Sequence, residues 1–311
     1  MRVTSNTTST SLLQHVNALA LRQSRLQTQI ASGQKIQNAA DDPVSMRRLM
    51  RMDLDAATAA QYQKSIGREQ DRATEVHSAL KSLKTISDRA GEIATLADGL
   101  KSPQELAVYA TEVTQLIKSA VQIANAKHQG VSLFAGTKSD QPPFALATGA
   151  NGQVTGFTYH GNESVSYTEI GPGNSVATEL VGVNNSGTGP RGLLADSASG
   201  ADLLNHLISL QNHLAAGDVS AISSTDRPAL AKDEENLLFH IGQNGITQSQ
   251  LETSSALLKD QSASLETQVS KEADADLTQV IVKLNATQTA YQAALQSGAQ
   301  LMGISLMNFL R

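Results

Sequence analysis

The sequence has no cysteine and no tryptophan, and only 3% of its 311 residues are aromatic. The first absence excludes disulfides and thiolate metal sites. The scarcity of rings removes the side chains that most often anchor a globular core or a binding hot spot. With 24 Lys and Arg against 29 Asp and Glu, a formal charge of −5, there is no basic field to gather phosphates, and no nucleic acid partner is expected. No run of about 18 apolar residues is present, so no membrane insertion is expected either. Residues 1–11 (MRVTSNTTSTS) are rich in Ser and Thr and lack the apolar stretch of a cleaved secretory signal.

What is there is unevenly distributed. Of the 22 Gly, 12 fall between Gly136 and Gly200, as do four of the seven Pro. Half of the ten aromatics lie between Phe134 and Tyr167. Val154 to Tyr159 and Ser164 to Ile170 alternate apolar with polar around Gly161-Asn162, which predicts a hairpin in a β-rich insert over 138–200 with a small core of its own. The flanks are helical by period. Leu12, Val16, Leu19, Leu26 and Ile30 fall on a heptad seam with Gln23 at the vacant position, and Gly33 ends the segment. Asp41-Asp42-Pro43 is a helix start, with Asp42 as cap and Pro43 in the first turn, where a missing N–H costs nothing. A helix runs from there to about Leu96, carrying Leu80, Leu83, Ile86, Ala90 and Ile93 on one face. Pro103 opens the next, with Leu106, Tyr109, Val113, Leu116, Ala120 and Ile123 on its apolar face. Beyond Pro228, Leu237, Leu251, Leu258, Leu265 and Val269 recur mostly in sevens. After a shift of register at Glu272 to Asp276, a last seam runs through Leu277, Val280, Leu284, Thr287, Tyr291, Ala294, Gly298 and Leu301.

The fold class expected is therefore mainly α with a β-rich insert, long antiparallel helices coming from both chain ends. Three parts are expected: terminal helices over 1–40 and 273–311, a helical bundle over 41–137 and 201–272, and the insert. The two terminal seams are weak. Thr287, Ala294 and Gly298 stand where a stable two-stranded coil has Leu or Ile, and the N-terminal seam has little apolar surface to offset the entropy of ordering its helix. Termini of this kind are expected to gain order when copies stack in an assembly, which makes both seams candidate assembly surfaces.

No catalytic set emerges, and no enzyme activity, metal or cofactor is expected. Gly187-Thr188-Gly189-Pro190-Arg191-Gly192 matches a dinucleotide-binding pattern after a strand-like Val181-Gly182-Val183. Pro inside the turn and the lack of an acid about 20 residues on favour a flexible loop. His206 and His213, seven apart, share a helix face that reads as solvated rather than metal-binding. Asp41 and Asp42 read as capping residues rather than an acid–base pair.

Two distant blocks resemble the flagellin superfamily. At the N-terminus these are Met1-Arg2-Val3-Thr4, Gln29-Ile30-Ala31-Ser32-Gly33-Gln34-Lys35-Ile36 and Ala40-Asp41-Asp42-Pro43. At the C-terminus they are Ala273-Asp274-Ala275-Asp276-Leu277, the stretch from Leu284 to Leu295, and Ile304 to Leu310. Within the superfamily, Leu133-Phe134-Ala135-Gly136-Thr137-Lys138-Ser139-Asp140-Gln141-Pro142-Pro143-Phe144 and Pro43 are more similar to the hook–filament junction branch, with filament flagellin as the alternative. The resemblance implies a rod-like structural subunit with terminal helices innermost and the insert outermost. It further implies export in an unfolded state to an extracellular flagellum without a cleaved signal peptide, with an export chaperone on the C-terminal helices. The implied neighbours are hook-associated protein 1, flagellin and copies of the same chain in a ring.

Overall fold

The computed structural model describes residues 5–97, 99–138 and 140–309, with side chains described within 10–300 of these. Met1 to Thr4, Ser139, Leu310 and the side chain of Leu301 lie outside the described residues. Helices α1 (Ser5–Ser32), α2 (Pro43–Leu96) and α3 (Pro103–Ala124) come first. Short strands follow among the described residues: β1 (Lys127–His128), β2 (Val131–Ser132), β3 (Phe144–Thr148), β4 (Val154–Tyr159), β5 (Thr168–Gly171), β6 (Asn174–Val176), β7 (Val183–Asn184), β8 (Ala195–Asp196) and β9 (Ala201–Asp202). The chain returns to helix with α4 (Leu203–Ala216), α5 (Val219–Ala221), a π-turn at Ile222–Asp226, α6 (Arg227–Ala273) and α7 (Leu277–Phe309). Mainly helical flanks around a β-rich insert are what the residue pattern predicts.

Local chemistry sets the helix ends. Gly33 takes φ +72° and its N–H bonds the carbonyl of Gln29, closing α1 where a left-handed residue is needed. Asp42 Oδ1 accepts from the N–H groups of Val44 (3.0 Å) and Ser45 (3.1 Å), so it caps α2. The Ser45 bond holds the Asp42 carboxyl below its usual pKa. At α3, Ser102 and Glu105 form a reciprocal capping box ahead of Pro103.

The chain divides into two units, one of residues 1–58 with 261–311, the other of residues 59–260. In the first, α1 and α7 pair antiparallel. Its smaller core gathers Ile36, Leu49 and Ala273, flanked by Met46 and Val269. The connections at that end are laced together, since Lys35 N–H bonds the Ala273 carbonyl (2.7 Å) and Ala275 N–H bonds that of Gly33 (2.8 Å).

In the second unit, the large core takes the Leu80, Leu83, Ile86, Ala90 and Ile93 face of α2, together with α3 and α4. On α3 the fully buried line is Leu106, Ala110, Val113, Ile117, Ala120, Val121 and Ala124. Tyr109, Leu116 and Ile123, expected on the central face, sit at its half-buried edge. The insert does not own a separate core. Phe144, Val154, Leu193 and Leu194 belong to the helical core, because the short strands alone bury too little to be self-sufficient. Polar side chains make the join. Gln211 on α4, fully buried, accepts from Thr114 of α3 (2.8 Å) and from Val154 N–H (3.3 Å) and donates to the Val154 carbonyl (3.0 Å). Asn125 brackets the backbone of Phe144 with bonds of 2.8 and 2.9 Å.

The expected hairpin across Gly161-Asn162 is not formed. β4 pairs antiparallel with β3, Phe144 opposite Tyr159, and β5 pairs with β6. Their turns use Gly152 at φ +75° and Gly173 at φ +70°. Gly161-Asn162 instead docks on the Ala135–Thr137 stretch. Asn162 Oδ1 accepts from Thr137 N–H (2.9 Å) and its Nδ2 donates to the Thr137 hydroxyl (2.8 Å). A Cβ on Gly161 would stand 2.7 Å from the Ala135 carbonyl oxygen, so Gly there permits a close approach rather than a reverse turn.

Candidate assembly interface

The seams predicted from the heptads face each other within the chain. Along α1, Leu12, Val16, Leu19, Gln23 and Ile30 are half-buried and Leu26 is buried, while most residues between them are exposed. Along α7, Val280, Thr287 and Gly298 are buried, and Leu284, Tyr291 and Ala294 are half-buried. Leu277 departs from the row at 45% exposed. Helix α7 begins at Leu277, after Asp276 has capped it by accepting from Gln279 N–H (3.1 Å), and the buried line starts a turn later at Val280.

Two of the weak seam positions have a clear packing role. A Cβ on Gly298 would lie 2.6 Å from Leu12 Cδ2, so Leu12 occupies the space that a side chain would fill. Thr287 directs its hydroxyl to the Lys283 carbonyl (2.7 Å), which satisfies it inside its own helix and lets it sit in the seam without an unpaired polar group. Leucine at Gly298 is therefore expected to wedge the two helices apart rather than tighten the seam. Gly298→Leu should lower the helical signal that melts first on heating and raise amide exchange along both helices, whereas Thr287→Val should leave exchange the same or slower. Unchanged exchange in Gly298→Leu would show that the contact with Leu12 does not hold the pair together.

Helices α1 and α7 contain no acidic residue. Arg22, Arg25 and Lys283 are the only Lys, Arg, Asp or Glu in them. Arg25 is occupied by an ion pair with Asp41 (2.8 Å). Apart from His15, the outward surface is otherwise amide, hydroxyl, alanine and exposed aliphatic side chains. Leu13, Leu21 (73% exposed), Ile281, Val282 (63%) and Leu295 all face away from the cis pairing. These outward residues were not part of the predicted seams. The signal that marks them in sequence is that they are large aliphatics off the heptad on helices almost without charge. Such a surface carries little charge to desolvate when it meets another helix.

The histidines predicted to lie on a solvated face are in fact tied to buried acids. His206 Nδ1 lies 2.7 Å from Asp233 Oδ2, and His213 Nδ1 lies 2.7 Å from Asp226 Oδ2. Asp226 also accepts from Ser209 (2.7 Å). The Asp233 carboxylate raises the pKa of His206. Because α4 packs on the start of α6, the face carrying both histidines becomes an interface. The glycine-rich motif at Gly187–Gly192 precedes no helix. It wraps around Asn184, whose Nδ2 donates to the carbonyls of Thr188 (2.9 Å) and Pro190 (2.7 Å), so its backbone is spent on an internal loop. Among the described residues no cluster of three metal-ligating side chains occurs, and no helix is long and apolar enough to cross a membrane.

Residues 3–139 match the bacterial flagellin N-terminal helical region. The chain is 24% identical over 305 residues to flagellar hook-associated protein 3 of Salmonella typhimurium, covering 92% of each. Among solved structures, it is similar to a flagellar hook-associated protein from Vibrio parahaemolyticus at a TM-score of 0.64 and 18% identity, over 75% of this chain and all of that one. It is also similar to FlgL of Bacillus cereus at a TM-score of 0.54 and 20% identity, over 71% of this chain and 99% of that one. These structural likenesses show the fold. The family model matches the N-terminal part of the expected resemblance to the flagellin superfamily, and the curated relative is a hook-associated protein.

Proposed function

We propose that the chain is a non-catalytic junction subunit of the bacterial flagellum, joining the hook to the flagellin filament by helix–helix packing. The observation that carries this reading is the α1–α7 pair, acid-free and studded with outward aliphatics. Side chains of this kind are costly in water and suited to burial against neighbouring helices. In this reading, hook-associated protein 1 lies on one side, flagellin on the other, and copies of the chain close a ring. The three-part division, with terminal helices innermost, is part of the same proposal. So are export in an unfolded state, an export chaperone on the C-terminal helices, and terminal helices that gain protection on assembly.

The test uses the full chain. In cells lacking it, the native protein should restore filaments on hooks, and Val282→Glu should not, although the purified variant melts at the native temperature. Seeded with flagellar fragments and no flagellin, the native protein should add a limited cap. Growth into long filaments would instead make it a filament flagellin, and full restoration by Val282→Glu would remove the outward surface from the mechanism.

A further inference from the structure

We propose that a cleft in the second unit, between the Val165–Val181 segment, the Gly189–Arg191 loop and α6, binds a sugar bearing a single carboxylate, a uronic acid unit. The cleft encloses about 510 Å³, within the range of small-ligand sites and large enough for a disaccharide. Its lining is unusual for this protein. Two of the ten aromatic residues, Tyr167 and Phe239, open onto it, in a chain that otherwise uses rings sparingly. Tyr167 is 70% exposed.

Arg191 is the only Lys or Arg between residues 139 and 200, and it lines this cleft. Its guanidinium carbon stands over the Phe239 ring, 4.5 Å from the centroid. It makes no ion pair or hydrogen bond among the described residues, and its Nε is buried without a partner. A guanidinium held over a ring, with its planar fork of donors unspent, is a receptor for a carboxylate. The acid in the lining, Glu179, is taken up by Arg72 (2.9 Å) and Ser166 (2.7 Å), so it does not compete for Arg191.

The rest of the lining suits a pyranose. Gln243 and Thr247, one turn apart on α6, make no side-chain hydrogen bond among the described residues and offer donors and acceptors to ring hydroxyls. Tyr167 offers an open ring face to the C–H side of the sugar. Carboxylate on Arg191, ring on Tyr167 and hydroxyls on Gln243 and Thr247 use every unspent group named here.

The experiment is titration calorimetry of the full chain with digalacturonate, with neutral digalactose, and with a short peptide ending in a free carboxylate, at low and at moderate salt. Digalacturonate is expected to bind saturably and more weakly as salt rises. Arg191→Gln should weaken it about tenfold or more and Tyr167→Ala severalfold. Thermal melts establish that each variant is folded, and Tyr167→Ala, at an exposed position, serves if Arg191→Gln is not. No saturation by digalacturonate overturns the proposal. So does equal binding of digalactose, undiminished binding by both variants, or binding of the peptide alone.

Discussion

Alanine at Gly192 is expected to destabilise the second unit by about 3 kcal/mol or more, a fall in Tm of roughly 6–12 °C for a domain of this size. The added Cβ would stand 2.0 Å from the Ala195 carbonyl oxygen and 2.6 Å from the Asn184 nitrogen. Both are backbone atoms, so no side-chain rotation relieves the clash. The loop must move instead, and its bonds go with it. The Gly192 carbonyl accepts from Asn236 Nδ2 (2.9 Å) and from His240 Nε2 (3.2 Å), and its N–H donates to Asp196 Oδ1 (3.1 Å). Each partner is buried, so each lost bond leaves an unsatisfied group. Gly156 is the control. It stands in β4 with nothing within 4 Å of its would-be Cβ, and Gly156→Ala should leave the melt unchanged or slightly raised. Equal melting of the two variants in urea or heat would show that the Gly192 loop gives way without cost.

Gly192 also marks where sequence reading stops. As the last glycine of a G-x-G-x-x-G run, it is indistinguishable from a nucleotide-binding glycine until the backbone it touches is known. The helices were legible because their signals are local: Pro43, Pro103 and Gly33 fix boundaries through φ and missing donors, and the heptads fix the buried faces. Strand pairing was not, because Gly149 to Gly152 and Gly171 to Asn174 are turn signals as good as Gly161-Asn162, and the choice depends on contacts far along the chain. The interface was half legible for a related reason. Apolar period locates the seam of α1 and α7, but it does not say that the two seams face each other. The unpartnered residues Leu21 and Val282 emerge only when that pairing is seen. His206 and His213 gave no sign of their role because their carboxylates lie 27 and 13 residues away.

Stability is expected to pass through a maximum near pH 6.5 and to fall by about 3 kcal/mol between there and pH 4, through His240. This side chain is 3% exposed, and burial holds its pKa down at about 4 against an ordinary 6.5, with the nearby Arg191 charge adding to the effect. The folded state keeps the imidazole neutral while the unfolded chain takes up a proton. The stability His240 contributes is thus complete above pH 6.5 and drains away as pH falls toward 4. His206 works in the opposite sense. Its raised pKa means that the folded state holds the proton more tightly, so its contribution is complete below pH 6.5 and is lost as pH rises through the folded value. The depressed carboxyls of Glu105, Glu163 and Asp196 add their own loss only below about pH 4.5. Urea melts at intervals from pH 8 to pH 4 separate the three windows. His240→Gln keeps a donor for the Gly192 carbonyl and removes the titration, so it should lack the decline from pH 6.5 to about 4.5 expected of the native protein, while Asp233, whose pKa burial raises, works against any loss as pH falls. If the two proteins decline in parallel over that interval, the acid sensitivity arises elsewhere.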